Sequence, residues 1–145
     1  MIEKIICNDL LLAIIIRSHF KKDGIEFFTP GEFSQQLGYM NRKKGYVIEP
    51  HIHKQVERKV WYTQEVLLIR SGKLRVDFYD EKEDYFTSSI LRMGDVILLA
   101  AGGHGFEILE DAEIIEVKQG PYCGDSDKIA ITNEISNQSL SLRDR

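Results

Sequence analysis

Four side chains in this sequence are of the types that bind transition metals or move protons. His51 and His53 are two residues apart in a stretch predicted to be a strand, so both imidazoles are expected on one face. Glu65 begins the next predicted strand, and His104 lies in the glycine-rich stretch 100–105, where the backbone can bend tightly. Three imidazoles and one carboxylate suit a divalent ion of borderline softness and leave positions for water or substrate. We therefore predict a site in which these four residues hold one iron, manganese, nickel or zinc ion.

Each of these residues also has a plainer explanation when it is taken alone. A His-x-His pair on a strand is more often a surface or core feature than a pair of ligands. A single strand glutamate is usually solvated, and a single histidine beside glycines is usually a loop residue. The combination of the four with the surrounding glycines is what favours a shared site.

The elements that must position these residues are predicted to be short strands separated by turns. Ser71-Gly72 and the acidic run 80–84 are typical turn sequences, and the first of them predicts a hairpin. Many short strands at this spacing predict an all-β sandwich or closed barrel. The predicted strands cover residues 12–16, 24–29, 36–40, 45–53, 65–70, 73–79, 85–91, 96–99, 105–109 and 113–118.

Alternation within the central strands predicts which faces are buried. Leu74, Val76 and Phe78 share one face of their strand. In the preceding strand, Leu67 and Ile69 share a face with Glu65. The carboxylate is therefore expected on the same side of its strand as apolar core residues.

Length and composition favour one soluble domain. The 145 residues are predicted to form a single domain, with N-terminal strands in 1–30 and a partly irregular tail at 123–145. A formal net charge of -4 makes nucleic acid an unexpected partner. The apolar stretch 5–16 is interrupted by Asn8-Asp9 and is too short to span a bilayer, so no membrane association is expected. Two distant cysteines, Cys7 and Cys123, are typical of a reduced cytoplasmic protein.

The histidine pair and its glycines resemble the first motif of the cupin superfamily, G-x5-H-x-H-x(3,4)-E-x6-G. Here five residues separate Gly45 from His51-Ile52-His53, and six residues separate Glu65 from Gly72. The spacer between His53 and Glu65 has eleven residues in place of three or four. Glu57 stands at the short spacing, but Gln64 then occupies the glycine position, so Glu65 is preferred as the carboxylate ligand.

His104 lies in a degenerate version of the second cupin motif, G-x5-P-x-G-x2-H-x3-N. Gly94 and Gly102 stand at glycine positions of the motif, but one residue in place of two separates Gly102 from His104. Ala100 replaces the proline and Ile108 the asparagine. The resemblance implies a cupin-type double-stranded β-helix, or jelly-roll barrel, with a small-molecule pocket at its mouth. It also implies a homodimer in which strand exchange covers open barrel edges.

The resemblance leaves the function open among several classes. Cupins include isomerases, epimerases and metal-dependent oxygenases, and carbohydrate or nucleotide-sugar metabolism is the preferred context. In the small nucleotide-sugar ketoisomerases, which His51–Lys54 also resembles, the two histidines imply acid–base catalysis without metal. A non-catalytic small-molecule-binding protein is a third possibility. Tyr46, Trp61 and Arg70 are near the predicted ligands in sequence and are the candidate substrate-binding residues.

Overall fold

β-branched and aromatic residues fill the strands of this chain, and the molecule is built almost wholly from them. The computed structural model describes residues 1–132. Its elements are strands β1 (Ile2–Cys7), β2 (Leu10–Ile16), β3 (Gly24–Phe27), β4 (Gly38–Asn41), β5 (Glu65–Tyr79), β6 (Tyr85–Arg92), β7 (Val96–Leu99) and β8 (Gly103–Lys118), and a 3-10 turn at Gly124–Asp127.

Six of the strands form one antiparallel sheet that curls into a half-barrel. Its order is β1-β2-β7-β5-β6, and β8 pairs along the other side of β5. Strands β3 and β4 form a separate two-stranded hairpin. The all-β prediction is therefore confirmed. No helix in residues 1–132 is long and apolar enough to cross a bilayer.

Strand β5 doubles back on itself together with its partner β8. Glu65 pairs with Leu99 of β7, whereas Phe78 pairs with His104, only five residues after Leu99. Five residues reach at most roughly 18 Å, whereas a straight strand of the length of β5 would extend roughly 50 Å. The two ends of β5 must therefore lie close together, which curls the sheet.

The bend occurs at the residues that were predicted to form a hairpin turn. Register shifts cluster between Ile69 and Leu74, and Gly72 has φ +78°. A β-carbon at Gly72 would overlap the carbonyl oxygen of Asp111 on β8. The hairpin prediction at Ser71-Gly72 is wrong: one bent strand runs through these residues, because β8 pairs with both halves and the glycine allows the close backbone approach.

Two other strand predictions also need correction. The predicted strands 105–109 and 113–118 are joined in the single strand β8. Residues 45–53, predicted as a strand, have no regular secondary structure, and neither does the rest of the chain from 42 to 64. A strand needs a hydrogen-bonding neighbour, and this stretch has none among residues 1–132.

The predicted buried faces are confirmed, and they enclose the larger of two cores. Leu74, Val76 and Phe78 are fully buried, as are Leu67 and Ile69. Inside the curl they pack with apolar residues of three other strands, Leu12, Ala13, Ile15, Leu91, Ile97 and Leu99. The second core lies on the outer face and contains Ile14, Ile16, Leu37 and Leu98, with Phe20, Phe28 and Phe33 packed against it.

The end of the chain is less regular. Residues 123–132 contain only the 3-10 turn, as predicted for the tail, and residues 133–145 lie outside the described part of the structure.

Candidate functional site

Glu65 is a buried carboxylate at one end of the bent strand. It is the first residue of β5 and pairs with Leu99 on one side and Lys118 on the other. Its neighbour Gln64 is also buried and accepts hydrogen bonds from the backbone N–H of Gln35 and from Gln119. These bonds fix the entry to β5, so the Glu65 side chain is held at the inner edge of the half-barrel.

His104 reaches the same place from the opposite end of β5. It is the second residue of β8 and pairs with Phe78. The chain turns into β8 at Gly102, which has φ +68° and whose β-carbon would crowd the carbonyl oxygen of Tyr79. Glycine is therefore needed at this turn. The bend of β5 and this turn together bring His104 Nε2 to 3.1 Å from Glu65 Oε2.

The contact between the two side chains stabilises the ionised carboxylate. A hydrogen bond from His104 lowers the pKa of Glu65, and burial of the carboxyl group opposes this effect. The positive charges of Lys128 and Lys118 lower the Glu65 pKa further. Glu65 is thus an anionic group that can bind a cation.

The pair lies in the wall of a cavity of about 910 Å³, here called the mouth cavity. Its aromatic lining residues are Trp61, Tyr62, Tyr79 and Phe106, and its acidic ones are Glu65, Asp80, Glu81, Glu83 and Asp127. Besides His104, the only basic side chain among the described lining residues is Lys128. The cavity therefore combines aromatic surfaces with a negative potential.

Residues 126–131, here called the strap, line one side of the mouth cavity. Asp127 fastens it, because its carboxylate accepts a hydrogen bond from Thr63 Oγ1 at 2.6 Å and lies 3.7 Å from Lys118 Nζ. This cover makes the mouth a partly enclosed pocket, which is the form that small-molecule sites usually have.

No protein-family model, curated protein or solved structure matched this chain. The functional interpretation therefore depends on the geometry of the mouth.

The structure places His51 and His53 away from this pair. Both are exposed, their ring centroids are 5.2 Å apart, and His51 Nδ1 is 2.9 Å from the carbonyl oxygen of Glu49. Neither lines the mouth cavity. The predicted alternative ligand, Glu57, is in the same exposed stretch. Within residues 1–132, no three His, Cys, Asp or Glu side chains are grouped so that they could hold a metal ion.

The three candidate substrate-binding residues are also separated. Trp61 lines the mouth cavity. Tyr46 lies in a different hollow, with the guanidinium carbon of Arg42 4.4 Å from its ring centre. Arg70 is exposed on β5 and does not line the mouth cavity. Of these residues, only Trp61 is placed to contact a ligand near Glu65 and His104.

Sequence reasoning missed the contribution of the turn after β5 and of the strap. Tyr79, Asp80 and Glu81 line the mouth cavity, although in the sequence they appear only as a strand end and an acidic turn. Lys128 lies in the predicted irregular tail. No local signal identifies these residues, because the fold of β5 brings them to the mouth.

Proposed function

We propose that this protein is a cupin-type barrel, a double-stranded β-helix, that binds a small molecule and one divalent metal ion at its mouth. The observation that carries the proposal is the 3.1 Å contact between Glu65 and His104 in the wall of the mouth cavity. A buried carboxylate and an imidazole held together at a partly enclosed pocket are two of the side-chain types that bind iron, manganese, nickel or zinc.

Two ligands do not complete such a site, so the metal proposal requires further groups. His51 and His53 are the remaining members of the predicted set, and they are on the exposed stretch that leads to Glu65. A metal ion held by all four residues requires this exposed stretch to move toward the mouth cavity. When bound, the ion would supply Lewis-acid polarisation of a substrate oxygen.

The lining of the mouth cavity favours a neutral or cationic small molecule. Five acidic side chains line the cavity, whereas its basic side chains are Lys128 and His104 among the described lining residues. The resulting negative electrostatic potential repels phosphate groups. The rings of Trp61 and Tyr62 offer flat surfaces on which an uncharged sugar could stack. Within carbohydrate metabolism, an unphosphorylated sugar therefore fits this mouth better than a nucleotide sugar, and isomerase, epimerase or oxygenase chemistry is compatible with it.

Metal binding to purified protein tests the proposal directly. We expect calorimetric titration with Mn²⁺, Fe²⁺, Ni²⁺ or Zn²⁺ to show about one site per chain. Glu65→Gln and His104→Ala should each abolish this site, because each removes a ligand at the mouth. Glu81→Gln is the matched control, since this exposed side chain also lines the mouth cavity but is outside the predicted ligand set.

Variants of the exposed stretch then separate the four-ligand site from a smaller one. His51→Ala/His53→Ala should also lose the ion, whereas Glu57→Ala should keep it. Retention of full affinity by the double histidine variant would restrict the site to Glu65 and His104. Absence of binding by wild-type protein for all four ions would refute the metal proposal.

Acid–base catalysis without metal is the second candidate, and the same contact favours it. An imidazole hydrogen-bonded to an ionised carboxylate is a common arrangement for moving a proton at neutral pH. This assigns the role to Glu65 and His104 at the mouth cavity, in place of His51 and His53. Under this candidate a metal-free protein should gain thermal stability from an unphosphorylated keto-sugar, and His104→Ala should remove that gain.

A further inference from the structure

A second hollow lies at one end of the β3–β4 hairpin and is here called the hairpin hollow. It has a volume of about 380 Å³ and shares no lining residue with the mouth cavity. Gly24 begins β3, Asn41 ends β4, and the two residues pair with each other. The hairpin hollow is therefore built on a fixed pair of strands. Its lining residues are Asp23, Gly24, Asn41, Arg42, Lys43 and Tyr46.

The guanidinium of Arg42 is held in place by its neighbours in the hairpin hollow. Its central carbon is 4.4 Å from the centre of the Tyr46 ring, which is the distance of a cation–π contact. On the other side, Nη1 of Arg42 lies 3.6 Å from the position that a β-carbon of Gly24 would take, so the missing side chain gives the guanidinium room. A stacked guanidinium keeps the N–H groups in its plane free to donate hydrogen bonds.

A tight turn places the Tyr46 ring beside Arg42. The Tyr46 N–H donates a hydrogen bond to the carbonyl oxygen of Lys43 at 3.1 Å, and Gly45 has φ +90°. These are the features of a four-residue turn in which the third residue needs a positive φ. The turn directs the ring back toward the end of β4, so residues 42–46 build the stacked pair locally.

Positive charge predominates at the hairpin hollow. Arg42 and Lys43 line it, and Lys44 follows directly in the sequence. None of these three side chains has an ion-pair partner within residues 1–132. The acidic side chain among the described lining residues is Asp23, whose Oδ1 lies 3.5 Å from Nδ2 of Asn41. The basic side chains are therefore not neutralised by contact with a carboxylate of the described chain.

We propose that the hairpin hollow binds a phosphate group, as inorganic phosphate or as the monoester of a small molecule. A phosphate monoester carries about 1.5–2 negative charges at pH 7 and three terminal oxygens. These match the guanidinium fork of Arg42 together with the ammonium of Lys43, and the side-chain amide of Asn41 is a further donor. A carboxylate has one charge and two oxygens, so it would engage Arg42 and leave Lys43 unmatched.

The hairpin hollow and the mouth cavity differ in the charge of ligand that they favour. Five acidic side chains line the mouth cavity, whereas two basic side chains and one acidic side chain line the hairpin hollow. An anion is therefore attracted to the hairpin hollow and repelled at the mouth. The phosphate site uses no residue of the mouth, so it stands or fails independently of metal or sugar binding there.

Titration of ¹⁵N-labelled full-length protein with inorganic phosphate, followed by NMR at low ionic strength, tests the proposal. We expect saturable shifts of the backbone amides of residues 23–24 and 41–46 and no shifts at residues 103–106 of the mouth. Acetate at equal ionic strength should bind at least about tenfold more weakly, because it carries fewer charges and fewer oxygens. Shifts that do not saturate, or that concentrate at the mouth, overturn the proposal.

Three variants test the charges of the hairpin hollow. Arg42→Met should weaken phosphate binding by about tenfold or more, because it removes charge-assisted hydrogen bonds. Arg92→Met is the matched control, since Arg92 is exposed, lies outside the hollow and forms no ion pair in the described part of the chain. Asp23→Asn should strengthen binding several-fold, because it removes a negative charge beside the anion. Equal losses in the two arginine variants, or weaker binding by Asp23→Asn, overturn the assignment.

Tyr46 acts in this site as a positioning residue that orients Arg42. Tyr46→Leu should weaken phosphate binding several-fold, whereas Tyr46→Phe keeps a ring for the guanidinium and should retain the wild-type affinity. Because Tyr46 is exposed, neither substitution should affect folding. Equal affinities of the leucine and phenylalanine variants contradict this role.

A sugar phosphate distinguishes the two sources of the phosphate group. Glucose 6-phosphate that shifts the amides of residues 41–46 at lower concentration than inorganic phosphate assigns the site to a monoester, and the reverse order assigns it to inorganic phosphate. Glucose itself should leave these amides unshifted. Shifts of the same size with glucose, or none with either phosphate compound, overturn the proposal.

Discussion

Arg17 links strands β1 and β6 on one flank of the half-barrel, here called the closed flank. The closed flank and the mouth both contain a carboxylate beside a cationic or titratable group, but they are built differently. On the closed flank, Arg17 donates hydrogen bonds to Glu3 and to Asp95 and also to the backbone oxygen of Ile90. At the mouth, the carboxylate of Glu65 contacts the partly exposed imidazole of His104. The closed flank uses a permanent charge with several partners, whereas the mouth uses a titratable group beside open space.

The difference indicates what each cluster does. The guanidinium of Arg17 joins β1, the turn before β7 and strand β6, so it holds elements together. The Glu65–His104 pair joins the beginning of β5 to the beginning of β8, and the backbone pairing of the two strands already fixes these positions. We therefore expect stability to depend on the first cluster and ligand binding on the second.

Removal of Arg17 should give the largest loss of stability. Arg17→Met leaves the buried carboxylate of Asp95 without its cation, and loss of one partner of a buried ion pair costs roughly 3–5 kcal/mol. Urea unfolding measures this change. Lys22→Met is the control, because its ion pair with Glu26 is exposed and should contribute less than about 1 kcal/mol. Equal effects of the two substitutions would remove the distinction between the clusters.

Substitution at the bend of β5 should have the next largest effect. Gly72→Ala forces a side chain onto a positive φ and into the backbone of Asp111. Gly45→Ala is a matched control with φ +90°, since no atom lies within 4 Å of its added β-carbon. The difference in unfolding free energy between the two variants should be about 1–3 kcal/mol. A smaller difference would show that the bend tolerates a side chain at this position.

Neutralising the mouth carboxylate should cost little stability at neutral pH. Glu65→Gln keeps the shape of the side chain and alters only its contact with a partly exposed imidazole, so we expect a loss below about 1 kcal/mol in urea unfolding. Metal binding should nevertheless be lost in this variant. A loss of stability as large as that of Arg17→Met would assign the pair a structural role and contradict the comparison.

The smallest expected effect is on the acid dependence of stability. Because the pKa of Glu65 is lower in the folded protein than in the unfolded chain, its contribution is complete above the unfolded-state value of about 4.5. It is lost as the pH falls through the folded-state value. Glu65→Gln and His104→Ala should therefore both flatten the pH dependence of the melting temperature below about pH 4.5. Curves parallel to the wild-type curve would show that the pair does not contribute.

Much of the fold could be predicted from the sequence, since alternation in the strands that became β5 correctly identified Leu74, Val76 and Phe78 as buried. The bend could not, because Ser71-Gly72 has the local chemistry of a hairpin turn and only the pairing with β8 decides its conformation. The contact between Glu65 and His104 also depends on the pairing of β5 with β8, so alternation within a strand does not predict it. The two residues are grouped through the resemblance to the cupin motifs. The strand predicted at residues 45–53 shows the opposite limit: a pattern can be present while its pairing partner is absent from residues 1–132.

The acidic side chains of β8 also affect the protein while it folds. Glu65 and Lys118 are 53 residues apart in the sequence, and pairings between such distant residues form slowly during folding. A chain that has formed β8 exposes Phe106, Ile108 and Val117, and these apolar side chains alone would favour aggregation through the strand edge. Repulsion between the glutamates of neighbouring copies opposes this association. The charges on β8 thus keep newly made chains apart from one another.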